Sequence, residues 1–167
     1  DIAGKFNHTY SKIFNLPEAL IQNEISVPGI DGRKMSKSYN NIIPFLCSEK
    51  DLQKAVSKIV TNSLEPGEPK DCNNCNLYEL YSLFGNAEQI ASFKQAYSDG
   101  ISWGDAKKEL FTVINSEIIP IREKYFELNA QPDLLNDLFA DGARKVRPQA
   151  QELIEKLRDL VGISKIV

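Results

Sequence analysis

With 167 residues, 42% of them apolar, the chain can bury one substantial core or a pair of small subdomains. It has no run of about 18 apolar residues and no charged stretch leading into an apolar one, which argues against a membrane span or a secretion signal and for a cytoplasmic protein. A net charge of −3 and a pI near 5.3 exclude a protein that coats nucleic acid non-specifically, so any RNA contact must be local.

In chain order, Ile2, Phe6, Tyr10, Ile13 and Phe14 recur at helical spacing and predict a helix over residues 2 to 14. The chain opens Asp1-Ile2-Ala3 and its one methionine is Met35, which reads as a fragment or a processed product with something cut off upstream. Pro17 predicts a short helical turn through Ile21, and Ile25-Ser26-Val27 a last strand of a sheet. Gly29 and Gly32 then permit a tight loop. Ser48, with Asp51 three residues on, predicts the N-cap of a helix carrying Leu52, Val56 and Ile59. Residues 62 to 76, with Pro66, Gly67 and Pro69, read as a loop.

From Leu77 onward the pattern is helical. Leu77, Leu80, Tyr81 and Phe84 form a stripe ended by Gly85, and residues 87 to 98 form another. Trp103-Gly104-Asp105 opens a long helix through Leu110, Ile114, Ile118, Ile121, Tyr125 and Leu128. Pro120 predicts a kink or break at about residues 116 to 119 within it. A last helical region enters at Pro132-Asp133 and runs to Leu160, with an interruption expected at Asp141-Gly142. The fold class expected is mostly α: the end of a Rossmann-like α/β nucleotide-binding domain over residues 1–46, then an α-helical bundle over 47–167.

The densest chemistry is Lys34-Met35-Ser36-Lys37-Ser38, which follows the turn-forming run from Pro28 to Arg33. Two mobile ammonium groups on a glycine-flanked loop suit a polyphosphate, whose oxygens gain charge as a phosphoryl bond breaks. A lysine that meets this charge only in the transition state raises the rate, not merely the affinity. The bland alternative is a solvated Lys/Ser loop.

These five residues resemble the KMSKS signature of class I aminoacyl-tRNA synthetases, and the string from Val27 to Asn41 is similar to the bacterial tryptophanyl-tRNA synthetase family. So are Ala3–Asn7, Ile59–Ser63, Gly104–Lys107, Pro120–Glu123 and Gly142–Arg147, so the resemblance spans nearly the whole chain. It implies a ligase that activates L-tryptophan with ATP and its magnesium ion, releases pyrophosphate, and transfers the amino acid to tRNA(Trp), as a homodimer when intact. It further implies that Lys34 and Lys37 hold the phosphates, that Ser36 and Ser38 line the nucleotide site, and that backbone near Ile25 and Met35 lies against adenine. The family's second signature, HIGH, needs two histidines, and His8 is the only one here. The polypeptide alone is therefore expected to be inactive. The competing readings are a tyrosyl-tRNA synthetase, or a non-catalytic RNA-binding module that keeps a fossil phosphate loop.

His8 reads as a surface or packing residue. Cys72-Asn73-Asn74-Cys75 has metal-ligand spacing and Cys47 adds a third thiol, but a tetrahedral zinc or a cubane cluster wants four ligands. Some family members bind an iron–sulfur cluster through four cysteines in this region, and one of those positions is empty here. Free thiols, with no metal, are the expectation. The family resemblance places tRNA recognition in the helical part, where Lys107, Arg122, Arg144, Lys145 and Arg147 are the candidate contacts against the alternative of a solvated helix face. Trp103 and Tyr125 could stack on bases, although core packing suits both better.

Overall fold

The computed structural model describes residues 1–20 and 26–163. Among these, six α-helices carry the fold: α1 Ile2–Thr9, α2 Glu49–Ser57, α3 Asn76–Phe84, α4 Ala87–Ser98, α5 Trp103–Asn129 and α6 Pro132–Leu160, with a 3-10 turn at Lys37–Tyr39. The chain groups into two compact units, one of Asp1–Glu24 with Leu128–Val167 and one of Ile25–Glu127.

The core lies in the Ile25–Glu127 unit. Leu52, Val56 and Ile59, Leu77, Leu80 and Tyr81, Phe93 and Tyr97, and Ala106, Leu110, Val113, Ile114 and Ile118 form one buried cluster. Helices α2 to α5 contribute the apolar positions that their three- and four-residue spacing places on one face, and Ile59, expected on α2, joins the cluster from just beyond that helix's end at Ser57. Aromatic rings join α3, α4 and the start of α5: Tyr81 stacks on Phe93 at 3.8 Å, and Tyr97 meets Trp103 edge-on at 5.8 Å. Ser48 caps α2 as expected, its Oγ accepting the Asp51 amide at 3.1 Å, and Asn86 and Gln89 close a reciprocal capping box on α4. The long loop before α3 is clasped by Lys70, whose buried ammonium donates to the carbonyls of Glu65 and Glu68 at 3.1 and 3.0 Å and lies 5.3 Å over the Trp103 ring.

In the other unit α1 ends at Thr9, short of the expected residue 14. Asn7 explains why: its Oδ1 accepts the amides of Ile13 and Phe14 at 3.0 and 2.9 Å, and its Nδ2 donates to the Phe14 carbonyl at 2.7 Å. A side chain that offers the backbone this alternative competes with helix extension. The fold brings Phe14 against Phe6 at 5.2 Å even so. No residue of α6 is buried.

Four local expectations differ from what is observed. Residues 17–20 form no helical turn, and Ile21 lies outside the described residues. Of the strand expected at 25–27, Ile25 also lies outside them; Ser26 and Val27 are not in a strand, and the only pairing nearby among the described residues is an isolated bridge between Pro28 and Lys34. With no partner strand among the described residues, the segment has no ladder to join there. α5 shows no break at Pro120: it continues as one helix to Asn129, with Ile114 and Ile118 buried before the proline and Arg122 after it, so packing on both sides of the proline offsets the missing hydrogen bond. α6 likewise runs through Gly142 and Pro148, with Asp141 bridging Arg144 and Lys145 at 3.3 and 2.6 Å across the glycine.

Candidate functional site: a lysine loop on a buried asparagine

The loop from Pro28 to Asn41 is held on its outer side by its own turn. The Gly29 amide donates to the Arg33 carbonyl at 2.8 Å, the Gly32 amide to Gly29 at 3.1 Å, and the Met35 amide to Val27 at 2.9 Å. Gly32, at φ 81°, takes a conformation that other residues rarely adopt. The inner side is tied to the helical core: the Ile30 carbonyl accepts the Val60 amide at 2.8 Å and Asn76 Nδ2 at 3.4 Å, while Ile30 and Met35 pack on the buried cluster.

Asn41 is the buried centre, at 1% exposure. Its Oδ1 accepts the Ser36 amide at 2.8 Å, and its Nδ2 donates to Asp31 Oδ1 at 2.7 Å and, longer, to the carbonyls of Arg33 and Lys34. Asp31 in turn binds the Arg33 guanidinium at 2.6 Å, and that guanidinium sits 4.5 Å over the Tyr39 ring. The hydrogen bond from Asn41 acts most strongly on the Asp31 carboxyl; desolvation opposes it, and the hydrogen bonds and charge of Arg33 add to it, so the group is held below its ordinary value. Ser36 caps the 3-10 turn by accepting the Ser38 amide at 3.2 Å, and Asn40 closes it at φ 51°.

On this scaffold Lys34, Lys37 and Ser38 are exposed, and Met35 and Ser36 are half-buried. Neither lysine takes an ion pair among the described residues, whereas Arg33 between them and the turn is neutralised by Asp31. The loop thus presents two uncompensated cations and consumes the third. Ile25, expected beside adenine, lies outside the described residues.

The helical candidates divide between the units. Lys107 is half-buried in Ile25–Glu127; its ammonium donates to the Ser57 carbonyl at 3.0 Å at the end of α2, and burial lowers its pKa. Together with Gln53, Val56, Gly104, Lys108 and Phe111 it lines a cleft of about 390 Å³. Arg122 is interior at 7% exposure, which separates it from any surface patch, and its Nε and Nη2 meet no acceptor among the described residues. Arg144, Lys145 and Arg147 are exposed on α6. Trp103 is packed: its Nε1 donates to Asn62 at 3.1 Å. Tyr125 is exposed beside Phe126 at 5.5 Å.

His8 is exposed in the last turn of α1. All three cysteines are free and half-buried. Cys75 Sγ lies 3.6 Å from the Tyr97 hydroxyl. Burial pushes the thiols of Cys47 and Cys72 up, on Cys47 against the pull of Arg122, and burial followed by the Cys75 contact pushes the Tyr97 phenol far up. No group of three or more His, Cys, Asp or Glu among the described residues is placed to hold a metal ion.

The sequence profile of the family described as tRNA synthetases class I (W and Y) matches residues 1–118. The chain belongs to this family. Among class I synthetases for tryptophan and tyrosine, the relatives it matches point to tryptophan. It is 46% identical over 164 residues to a tryptophan–tRNA ligase of Neisseria meningitidis, covering 98% of this chain and 49% of the relative. With one from Pseudomonas aeruginosa it shares 44% identity over 170 residues, covering 99% of the chain and 38% of the relative. The fold matches a crystal structure of tryptophanyl-tRNA synthetase from Campylobacter jejuni complexed with ADP and tryptophan, at a TM-score of 0.83 and 40% identity over 96% of this chain and 51% of that one. The chain therefore spans about half the length of the class I synthetases it matches, or less.

Asn41 and Asp31, the two residues that shape the loop, do not stand out in the sequence. The signal available is weak: an asparagine in the polar run Tyr39-Asn40-Asn41 looks like surface until the fold is known to bury it.

Proposed function

We propose that this chain supplies the KMSKS-bearing part of a tryptophan–tRNA ligase. The loop grips the triphosphate of ATP, Lys34 and Lys37 neutralise charge as pyrophosphate leaves, and the activated L-tryptophan passes to tRNA(Trp). The observation that carries the reading is that these two lysines are the loop's unpaired cations among the described residues, on a tightly built scaffold, and the identity to tryptophan–tRNA ligases supports it. Residues 34–38 offer ammonium and hydroxyl groups but no carboxylate, so magnesium enters with ATP as part of the substrate.

In this reading Met35 and Ser36 are set where backbone can face the nucleotide, with Ile25 close by in sequence. Residues 1–46 act with the catalytic domain and residues 47–167 with tRNA. Among the helical cations, Arg144, Lys145 and Arg147 are the exposed set, with Lys107 at the cleft; interior Arg122 plays no direct part. The reading includes a homodimer for the intact enzyme and a cytoplasmic setting; no helix among the described residues is long and apolar enough to cross a membrane.

The test is tryptophan-dependent exchange of pyrophosphate into ATP by a chimaera in which this chain replaces the matching half of the Neisseria relative. Exchange is expected with tryptophan and not with tyrosine, and Lys37→Ala should lower it roughly a hundredfold, as loss of one transition-state donor does. The isolated chain should show none. Full exchange after both lysines are neutralised would overturn the proposal.

A further inference from the structure

We infer that Asn41 is the positioning residue of the lysine loop: one buried carboxamide fixes the backbone on both sides of Met35 and so sets the spacing of Lys34 and Lys37. The inference rests on the polyphosphate reading above and adds the device that makes the loop a defined receptor.

The geometry is specific to an amide. Oδ1 takes the Ser36 N–H, which only an acceptor can do, while Nδ2 faces three acceptors: the Asp31 carboxylate and the carbonyls of Arg33 and Lys34. Asparagine offers one acceptor and two N–H donors in a rigid plane at this reach; serine is too short and aspartate lacks the donors. The fixed points are the residue before Lys34, Lys34 itself, and the residue before Lys37. The main chain of the same asparagine accepts the Ile30 amide at 2.9 Å, which ties this frame to the Ile30 carbonyl's partners Val60 and Asn76. Gly29 leaves the room: a Cβ there would collide with the Asn41 carboxamide.

Two effects on anion binding follow. A loop already ordered loses less conformational freedom when a ligand arrives. Asn41 also holds Asp31 where it neutralises Arg33, so the positive field is confined to the two lysines. In Asn41→Asp the introduced carboxyl faces Asp31 at hydrogen-bond distance, with Arg33 the other charge nearby. Two carboxylates so close repel each other when both are ionised, as near neutral pH, so one takes up a proton above the usual range as the pH falls. Once protonated, the introduced group donates an O–H as the amide did.

The experiment uses the chain itself with inorganic pyrophosphate as probe, and reads the Ser36 and Ile30 amides by hydrogen-exchange protection. Asn41→Asp should cut protection at both amides and pyrophosphate affinity more than tenfold near neutral pH, while the amides of Leu80 and Leu110 keep theirs. Protection at Ser36 should return as the pH falls from about 7 to about 5, which general loss of structure would not do. Asn41→Ala should show the same loss at neutral pH and no return. Unchanged affinity and protection in both variants overturns the positioning role. So does loss at Leu80 and Leu110 as well in both variants, which would make Asn41 a general folding residue. Failure of the unaltered chain to bind pyrophosphate, or binding undiminished in Lys34→Ala/Lys37→Ala, sinks the polyphosphate reading instead.

Discussion

The amide of Gly67 donates to the carbonyl of Gly100 at 2.8 Å, and the two residues lie so close that a Cβ on Gly100 would collide with the Gly67 backbone. Both adopt a positive φ, 89° and 84°. This contact pins the loop before α3 to the turn between α4 and α5, beside the Lys70 clasp.

Gly100→Ala should therefore destabilise the chain by about 2 kcal/mol or more, since the left-handed conformation alone costs a non-glycine residue roughly 1–2 kcal/mol and the contact with backbone adds to it. Urea unfolding measures this; a cost below the conformational term would mean the loop shifts freely.

Gly142 is the opposite case. It sits inside α6, and a methyl group added to it would meet nothing within 4 Å beyond its chain neighbours and the backbone of its own helix, so Gly142→Ala should raise stability by about 0.5–1 kcal/mol, the ordinary helix-propensity difference. A loss of stability in the same assay would point to a contact that this helix does not show.

Leu80 and Leu110 are both fully buried in the core cluster, one on α3 and one on α5. Truncating either to alanine removes apolar burial and leaves a cavity, at a cost of about 2–5 kcal/mol. Calorimetric or urea unfolding should place both in that range, whereas Leu138→Ala, on an exposed side chain, should change stability by less than about 0.5 kcal/mol.

Asp31 makes the loop acid-sensitive. Its folded pKa lies below the ordinary 3.8, so the unfolded loop binds the proton more readily. The stabilising effect is complete above that ordinary value and is lost as the pH falls through the lower folded one. The side-chain amide signal of Asn41, followed by NMR, should titrate with a midpoint below 3.8; a midpoint above it would contradict the Asp31–Asn41 bond. In Asp31→Asn that titration should vanish.

The exposed cations of α6 can be tested by RNA binding at several salt concentrations. Replacing Arg144, Lys145 and Arg147 together by glutamine should weaken binding of tRNA and reduce the steepness of its salt dependence by about 2 units of log–log slope if all three meet phosphates. Arg122→Gln, inside the unit, should leave that slope unchanged. An unaltered slope in the triple variant would assign these residues to helix solubility, where Asp141 already pairs two of them.

Much of this molecule could be read from order alone. The helix faces of α2 to α5 follow from apolar spacing, the α2 cap from Ser48 and Asp51, and the lysine loop from a short string whose residue types suit phosphate. These are local properties: a period of 3.6, a hydroxyl one turn from an amide, two ammonium groups three residues apart. Family membership was legible for the same reason, since contiguous residues carry it.

What the tertiary structure decided depends on distant atoms. The early end of α1 needed Asn7 to reach residues 13 and 14. The continuation of α5 through Pro120 depended on packing on both sides of the proline, at Ile118 and at Arg122, whose interior position rests on neighbours that sequence spacing does not name. The role of Asn41 came only from folding, because a side chain's burial and its four hydrogen bonds depend on residues up to ten positions away meeting in space. Spacing along the chain reports which residues share a face; only packing sets what that face touches.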